Sequence, residues 1–542
     1  MGGNAVHYAM QNCMMEFSLN SAKVRKDPFN EVELDVAFTG PDGRQRVVPA
    51  FWSGGELWRV RYASPLVGKH TWRTACSDAS DTGLHGREGV LEVVPYEGEN
   101  RLLRRGPLHV SADRRHLEHA DGTPFFWLGD TWWMGLCKRL SWPGGFQTLA
   151  ADRVQKGFTL IQIVAGLYPD MEPFDERGAN EAGYPWERGY ARVNPAYFDM
   201  ADVRMDWLVR SGLVPCVVAC WGYFMDFAGK EVLKKHWRYL VARWGAYPVV
   251  WCVAGEVLMN WYLRRFKDED ERCRFEGRIR SDWIEVTRYL RGIDPYHHPV
   301  TAHPGGRGSR EMLGDELVDI EMLQTGHSGH ASVPNTVNQI TESVAQEPRM
   351  PVVNGEVSYE GIGGTCWQEV QRIMFWVCML SGGAGHTYGA NGIWQLNTRE
   401  RRYGPSPHGM DWGHMPWEDA CQLPGSRQVG IGKRLLERYE WWRLELAPDL
   451  VEGRWTPQNY YGRYAARIPG QCLIVYILLG RGAVTVKGLE PGAPHRAFYF
   501  DPATGEEYDL GLAEPDAQGR WTTSGMPPLY QDLVLVIERA AR

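Results

Sequence analysis

Apolar and polar residues alternate along the first ninety positions. Val32–Phe38, Gln45–Phe51, Leu57–Tyr62 and Gly68–Ala75 follow this pattern, broken by turns such as Gly40-Pro41-Asp42-Gly43. A period of two marks half-buried strands, so the span from about Val6 to Pro95 is expected to be an all-β sandwich. From about Gly106 the texture changes. Short apolar runs, at Phe125–Leu128, Thr159–Val164, Val214–Cys220, Val249–Ala254, Val300–His303, Val318–Leu323, Pro351–Asn354 and Ala384–Tyr388, are separated by helical stretches such as Gly229–Ala242 and Arg278–Arg291. Eight strands alternating with helices predict an α/β fold, a (β/α)8 TIM barrel with loop insertions. A doubly wound open sheet is the competing arrangement, but it more often carries a glycine-rich phosphate turn after its first strand, and Leu128-Gly129-Asp130-Thr131 is not one. The last hundred residues return to strand texture at Cys472–Leu479, Ala497–Phe500 and Leu533–Ile537. The expected domains are an N-terminal β-sandwich over 1–100, a catalytic barrel over 101–445 and a small C-terminal β-sandwich over 446–542.

Length agrees with several domains, since 542 residues exceed what one core supports at roughly 250–300. Lys plus Arg is 59 against 66 Asp plus Glu, a mildly acidic balance that offers no footprint for nucleic acid. No apolar run reaches 18 residues, so no membrane partner is expected. Eleven cysteines lack CxxC pairs and several lie in apolar runs; with no basic, apolar leader at the N-terminus, a reduced, cytoplasmic protein is expected. A secreted chain trimmed of its leader would read the same. Whether it forms a homo-oligomer stays open. The 24 Trp and 24 Tyr serve core packing, and they also supply flat faces on which sugar rings stack.

Function in such a barrel concentrates at the C-terminal ends of the strands. In order they present Asp130, Trp132 and Trp133; Tyr168; Trp221 and Tyr223; Glu256; His303; Gln324 and His327; Glu356 and Tyr359; and His386, with Trp394 beyond. This acidic, polar and aromatic set suits a carbohydrate rather than a phosphate. Glu256 and Glu356 each follow an apolar strand and stand 100 residues apart, close to three βα units of about 31 residues. Glycoside hydrolysis needs two such carboxyl groups, and their separation decides between retention and inversion. Either glutamate alone is equally a solvated loop residue or a helix N-terminal charge. Asp130 either accepts a sugar hydroxyl or caps a helix; Asp170 and Glu321 are weaker carboxylates. His327 and His330 lack a third ligand at metal spacing, so neither metal nor cofactor is expected. GxxxxGK[ST], HExxH and GxSxG are all absent, which removes the main support for nucleotide, zincin and serine-hydrolase readings.

The segments WLGDTWW (Trp127–Trp133), WCVAGE (Trp251–Glu256), MLQTGH (Met322–His327) and VVNGEVSYEG (Val352–Gly361) resemble the apiosidase-like glycoside hydrolases, family 140 and its relatives. The N-terminal segment resembles the β-sandwich that precedes such barrels. YFDPATGEEYDLG near the C-terminus is similar to the collagen-binding-type β-domain that follows them, with no peptidase machinery in view. The resemblance implies a retaining O-glycosyl hydrolase of plant or microbial oligosaccharides or glycosides, with Glu256 as acid/base and Glu356 as nucleophile. The aromatic and polar residues at the strand ends are candidates for substrate binding, with core packing the other reading for the aromatic ones. Two departures stand out. Characterised members carry Asp where this chain has Glu256, one methylene longer, so apiose is not implied as the sugar. Gly255 replaces the Asn that precedes the acid/base in the wider clan, so the 2-hydroxyl must be read differently. The alternative is a catalytically silent carbohydrate-binding or adhesive protein on the same fold.

Overall fold

The computed structural model describes residues 5–259, 264–305, 308–407, 410–479 and 481–540. Its N-terminal part holds two sheets. One has five strands, Ala5–Met10, Glu88–Val94, Gly68–Cys76, Leu34–Thr39 and Gln45–Pro49; the other has three, Met15–Asn20, Leu57–Tyr62 and Phe51–Trp52. Their inner faces meet through stacked rings, Phe38 on Tyr62 at 3.9 Å and Phe17 on Trp72 at 4.6 Å between centroids. Three of these strands, Ala5–Met10, Met15–Asn20 and Glu88–Val94, were not among those read from the pattern.

Eight parallel strands follow: β1 (Trp127–Trp132), β2 (Leu160–Leu167), β3 (Val214–Cys220), β4 (Val250–Gly255), β5 (Val300–His303), β6 (Glu321–Gln324), β7 (Val352–Glu356) and β8 (Gly385–Tyr388). They pair in the order β5-β4-β3-β2-β1-β8-β7-β6. The ring is nearly closed, for β5 and β6 meet at their starts through Asp319 N to Val300 O and Thr301 Oγ1 to Ile320 O. The expected barrel is what forms. Its strands are buried along their whole length because helices cover the outside. Helix Lys230–Trp244 shows how: Leu233, Trp237, Leu240 and Trp244 recur at helical spacing and are buried on the barrel side. Most boundaries shift from the pattern by one to four residues. Phe125 belongs to a short meander (Leu108–Val110, Leu117–His119, Pro124–Phe125) ahead of β1, and β6 begins at Glu321 rather than Val318.

A six-stranded antiparallel sheet, Glu445–Leu446, Tyr464–Ile468, Cys472–Ile477, Leu533–Arg539, His495–Phe500 and Glu507–Ala513, forms the C-terminal part with a small two-stranded sheet, Thr485–Val486 and Trp521–Thr522. Buried ion pairs lock both β parts to the barrel. At the N-terminal side Arg61 Nη2 reaches Asp202 at 2.6 Å and Arg61 Nη1 donates to the Arg243 carbonyl. At the C-terminal side Arg372, on helix Gln368–Leu380, holds Asp532 at 2.6 Å, and the Tyr476 hydroxyl donates to the same carboxylate. No described helix is long and apolar enough to cross a membrane.

Arg372→Ala strands the Asp532 carboxylate in a buried site. It is expected to cost about 3–5 kcal/mol in chemical unfolding. The pair R372M with D532L should recover most of that loss; an unchanged midpoint for R372A would show that the pair holds nothing together.

Candidate active site

A cleft of about 650 Å3 opens at the C-terminal end of the barrel, with Glu256 and Glu356 on its floor. Glu356 is the last residue of β7 and Glu256 follows β4 directly. Gln324, the last residue of β6, stands between them: its Nε2 lies 3.3 Å from Glu256 Oε1 and 3.2 Å from Glu356 Oε1. One amide thus bridges both carboxylates, while its own Oε1 is buried with no hydrogen-bond partner.

The two carboxylates have unlike surroundings. Beside Glu356, His327 Nε2 sits 2.9 Å from Oε1, and His303 Nε2 sits 2.8 Å from Oε2 as an ion-pair contact rather than an aligned hydrogen bond. Burial pushes the Glu356 carboxyl upward, yet the two imidazoles outweigh it and hold this group well below the usual carboxylate range. His327 responds in kind. Burial opposes its charge, but contact with Glu356 raises it above the ordinary histidine value. Glu256 goes the other way, pushed up to about 7, first by burial and then by the negative charge on Glu356.

Glu256 is also held unusually. Its φ is 48°, in the left-handed region that non-glycine residues rarely enter. The Met259 amide donates to its carbonyl at 2.9 Å, and Trp221 Nε1 donates to its Oε2 at 2.9 Å. Gly255 makes that indole position available, since a Cβ there would fall 2.2 Å from Trp221 Cε3.

Aromatic rings build the wall above Glu356. His327 stacks on Tyr359 at 4.9 Å and Tyr359 on Trp394 at 5.9 Å; Trp133 Nε1 donates to the Tyr359 hydroxyl. Burial and the Glu356 charge keep the Tyr359 phenol protonated, well above its ordinary value.

Other residues named from the sequence lie elsewhere. Side chains alternate across a strand, so Trp127 on β1 and Trp133 just past its end face inward while Asp130 and Trp132 face the helices. Asp130 is fully buried against Arg153 at 2.6 Å and accepts from Trp132 Nε1 at 2.7 Å, and Trp132 packs edge-on to Phe146. Neither touches the cleft. His386 is paired in register with Leu128, faces outward onto Phe375, and is held down at about 3 by burial. Tyr168 and Tyr223 are buried beneath the loop after β2. There the Tyr168 hydroxyl meets that of Tyr197 at 2.6 Å, and the Tyr223 hydroxyl donates to the Tyr168 carbonyl at 2.7 Å. His303 is fully buried beneath the floor, where it meets Glu356 and packs against the rings of Trp133 and Trp221. Glu321 turns outward to the Arg310 amide and Ser309 hydroxyl. Asp170 does line the cleft, as do Met259, Gly305, Asn335, Ile362, Met410 and Trp412, which no motif had marked. Of these only Trp412, an aromatic in a Gly- and Pro-rich stretch, carried a usable signal. Among the described residues, no group of three or more His, Cys, Asp or Glu could hold a metal ion.

Comparison with known proteins agrees with this fold. A family model for the apiosidase-like catalytic domain matches residues 111–443, and a domain of unknown function, DUF5060, matches residues 11–77. A glycoside hydrolase family 5 structure from Bacteroides vulgatus has a TM-score of 0.67 at 23% identity, covering 81% of this chain and 94% of that one. A second Bacteroides vulgatus glycoside hydrolase structure reaches 0.72 at 16% identity, over 98% of this chain and 100% of its own. A further glycoside hydrolase structure scores 0.63 at 22% identity, over 81% and 98%. At such identities these likenesses show a shared fold. A search of the curated proteins gave no match.

Glu356→Gln removes the charge that repels a second one. The Glu256 carboxyl is then expected to titrate below about 7 yet above an ordinary glutamate, because burial is the larger cause. Carboxyl 13C NMR titration of both proteins checks this; an unmoved midpoint would mean that the two groups do not sense each other.

Proposed function

The chain belongs to the apiosidase-like family, and on that premise we propose that it is a retaining glycoside hydrolase in which Glu356 is the nucleophile and Glu256 the acid/base. One observation carries the reading. Two buried carboxyls share a single bridging amide yet are driven to opposite protonation states, one by imidazoles and the other by burial. Pairs of carboxyls with pKa values pushed apart are how acid and base roles are divided. Both facing oxygens lie within hydrogen-bonding distance of one nitrogen, at 3.3 and 3.2 Å, which keeps them close together. That favours direct attack over a water lodged between the groups, which needs about 6.5–9.5 Å.

The first step forms a bond from a Glu356 oxygen to the anomeric carbon as the glycosidic C–O bond breaks. The proton on Glu256 passes to the departing oxygen. In the second step Glu256, now ionised, takes a proton from water, whose oxygen attacks the anomeric carbon and frees Glu356. Gln324 can hold both carboxylates in place throughout. His303 and His327 keep Glu356 ionised, so that it is ready to attack. All eleven cysteines are unpaired, which fits the reducing cytoplasm.

Screening aryl pyranosides, aryl furanosides and plant and microbial oligosaccharides with wild type and E356Q side by side tests the reading. Release is expected from wild type alone, with E356Q down by about a thousandfold or more. Equal release, or binding with no product from either, would favour the silent carbohydrate-binding protein instead. Glu256→Ala should lose about 10²–10⁴-fold on unactivated glycosides and far less on substrates with acidic leaving groups. The pH profile has a definite sign. Turnover needs Glu256 protonated and Glu356 ionised, so kcat/KM should fall as pH rises through about 7 and stay level well into acid. An alkaline limb that persists in E256A would assign it to another group.

A further inference from the structure

In the two-step reaction Glu256 is neutral at the outset and charged in the second step. Burial and the negative charge on Glu356 both favour its neutral form. They do not act equally through the cycle. Once Glu356 has bonded to the sugar its charge is spent, while burial still opposes the ionised Glu256 that takes a proton from water. The second step therefore needs a donor for that carboxylate, and Trp221 supplies one.

Trp221 Nε1 donates to Glu256 Oε2 at 2.9 Å, whereas Oε1 faces the Gln324 amide that Glu256 shares with Glu356. The indole is thus a donor that serves Glu256 and not the other carboxylate. Its position is closely fixed. Trp221 follows β3 and is bridged to Gly255 at the end of β4, and the Gly222 amide donates to the Gly255 carbonyl at 2.6 Å. A side chain fits at neither glycine. A Cβ on Gly222 would fall 2.6 Å from the Glu256 carbonyl oxygen, and one on Gly255 would fall 2.2 Å from the indole. The ring is 4% exposed and packs edge-on to Trp133 at 5.3 Å and tilted on His303 at 5.8 Å. A donor locked by packing in this way needs no reorganisation when charge arrives beside it.

We propose that Trp221 is a positioning residue for the second step, its N–H holding Glu256 as the base that deprotonates water. The proposal rests on the two-carboxylate reading above. Water's proton passes to Glu256, its oxygen bonds to the anomeric carbon, and the bond from that carbon to Glu356 breaks with its electrons returning to the carboxylate. Trp221 keeps its own proton throughout. Among the described residues, Glu356, His303, His327, Tyr223 and Tyr359 also act on Glu256 through their charges, and Asp170 lines the same cleft. Replacing an uncharged indole leaves all of these groups in place.

The test uses 2,4-dinitrophenyl glycosides of the common pyranoses and pentofuranoses, because so acidic a leaving group needs no proton in the first step. For the sugar that responds, Trp221→Phe is expected to lower kcat about tenfold or more. KM should fall with it, leaving kcat/KM within about twofold of wild type. Azide, which attacks the anomeric carbon with no proton to lose, should restore the kcat of W221F and release a glycosyl azide. On unactivated glycosides the alkaline limb of kcat/KM should move to higher pH in W221F, since the N–H favours the ionised carboxyl. Trp221→benzothienylalanine keeps the fused ring without the N–H, and it should reproduce W221F at an unchanged unfolding midpoint. A fall in kcat/KM at constant kcat, no rescue by azide, or an isostere that behaves as wild type would overturn the proposal and leave the glycosidase standing. Inversion at the anomeric carbon by wild type, or silence on every substrate with E356Q indistinguishable from wild type, would overturn both.

Discussion

Two negative charges do not share a dry space only a few ångströms across, and the floor of this barrel is organised around that repulsion. Glu256 and Glu356 touch the same amide nitrogen of Gln324 and are both buried. In a low-dielectric site the ionisation of one opposes that of the other. The structure resolves the conflict with two imidazoles on one side only. His303 and His327 converge on Glu356, while Glu256 meets an indole N–H, a weaker partner for charge. The proposed division of roles rests on this asymmetry, not on any difference between the two residue types.

Small residues make the asymmetry possible. Gly255 lets the Trp221 ring lie against the backbone beside Glu256, and Gly355, ahead of Glu356, lies where a Cβ would meet Met322 at 2.5 Å. Both are steric requirements of the strand ends. The left-handed backbone at Glu256 is a further local cost, of the kind that persists where surrounding contacts over-determine a residue. Around this floor the β parts serve as braces. Arg61 with Asp202 and Arg372 with Asp532 fasten sheets to the helices that surround the barrel, and through Tyr460 to Asn338 and Tyr461 to the His330 carbonyl the C-terminal part reaches the segment that follows His327. The site is therefore supported from beneath by the barrel core and from the side by a second domain.

The eight-strand order of the barrel was legible because parallel strands buried on both faces leave continuous apolar runs, and each run ends where the chain emerges at the top. The two glutamates stood out for the same reason. Strands half exposed at a sheet edge were harder to read. Val6, Tyr8 and Met10 are exposed on one face of Ala5–Met10, so that strand lacks the burial contrast on which pattern reading depends. The inward or outward sense of a residue at a strand end was equally hidden. WLGDTWW places Asp130, Trp132 and Trp133 within four positions, but parity sends the first two into the helix layer and only the last into the cleft. A shift of one residue in the start of β1 reverses every assignment.

By itself the sequence determined the fold class and the family and pointed to the two carboxylates, because burial periodicity and local motifs are properties of neighbours along the chain. Tertiary structure alone decided which carboxylate is charged, that Gln324 joins them, and that Met259, Asn335 and Trp412 complete the walls. Those relations run between residues as far apart as Trp133 and Tyr359 or Glu256 and Gln324. Desolvation, ion pairing and ring stacking depend on distances through space, which no spacing along the chain encodes until the barrel has closed.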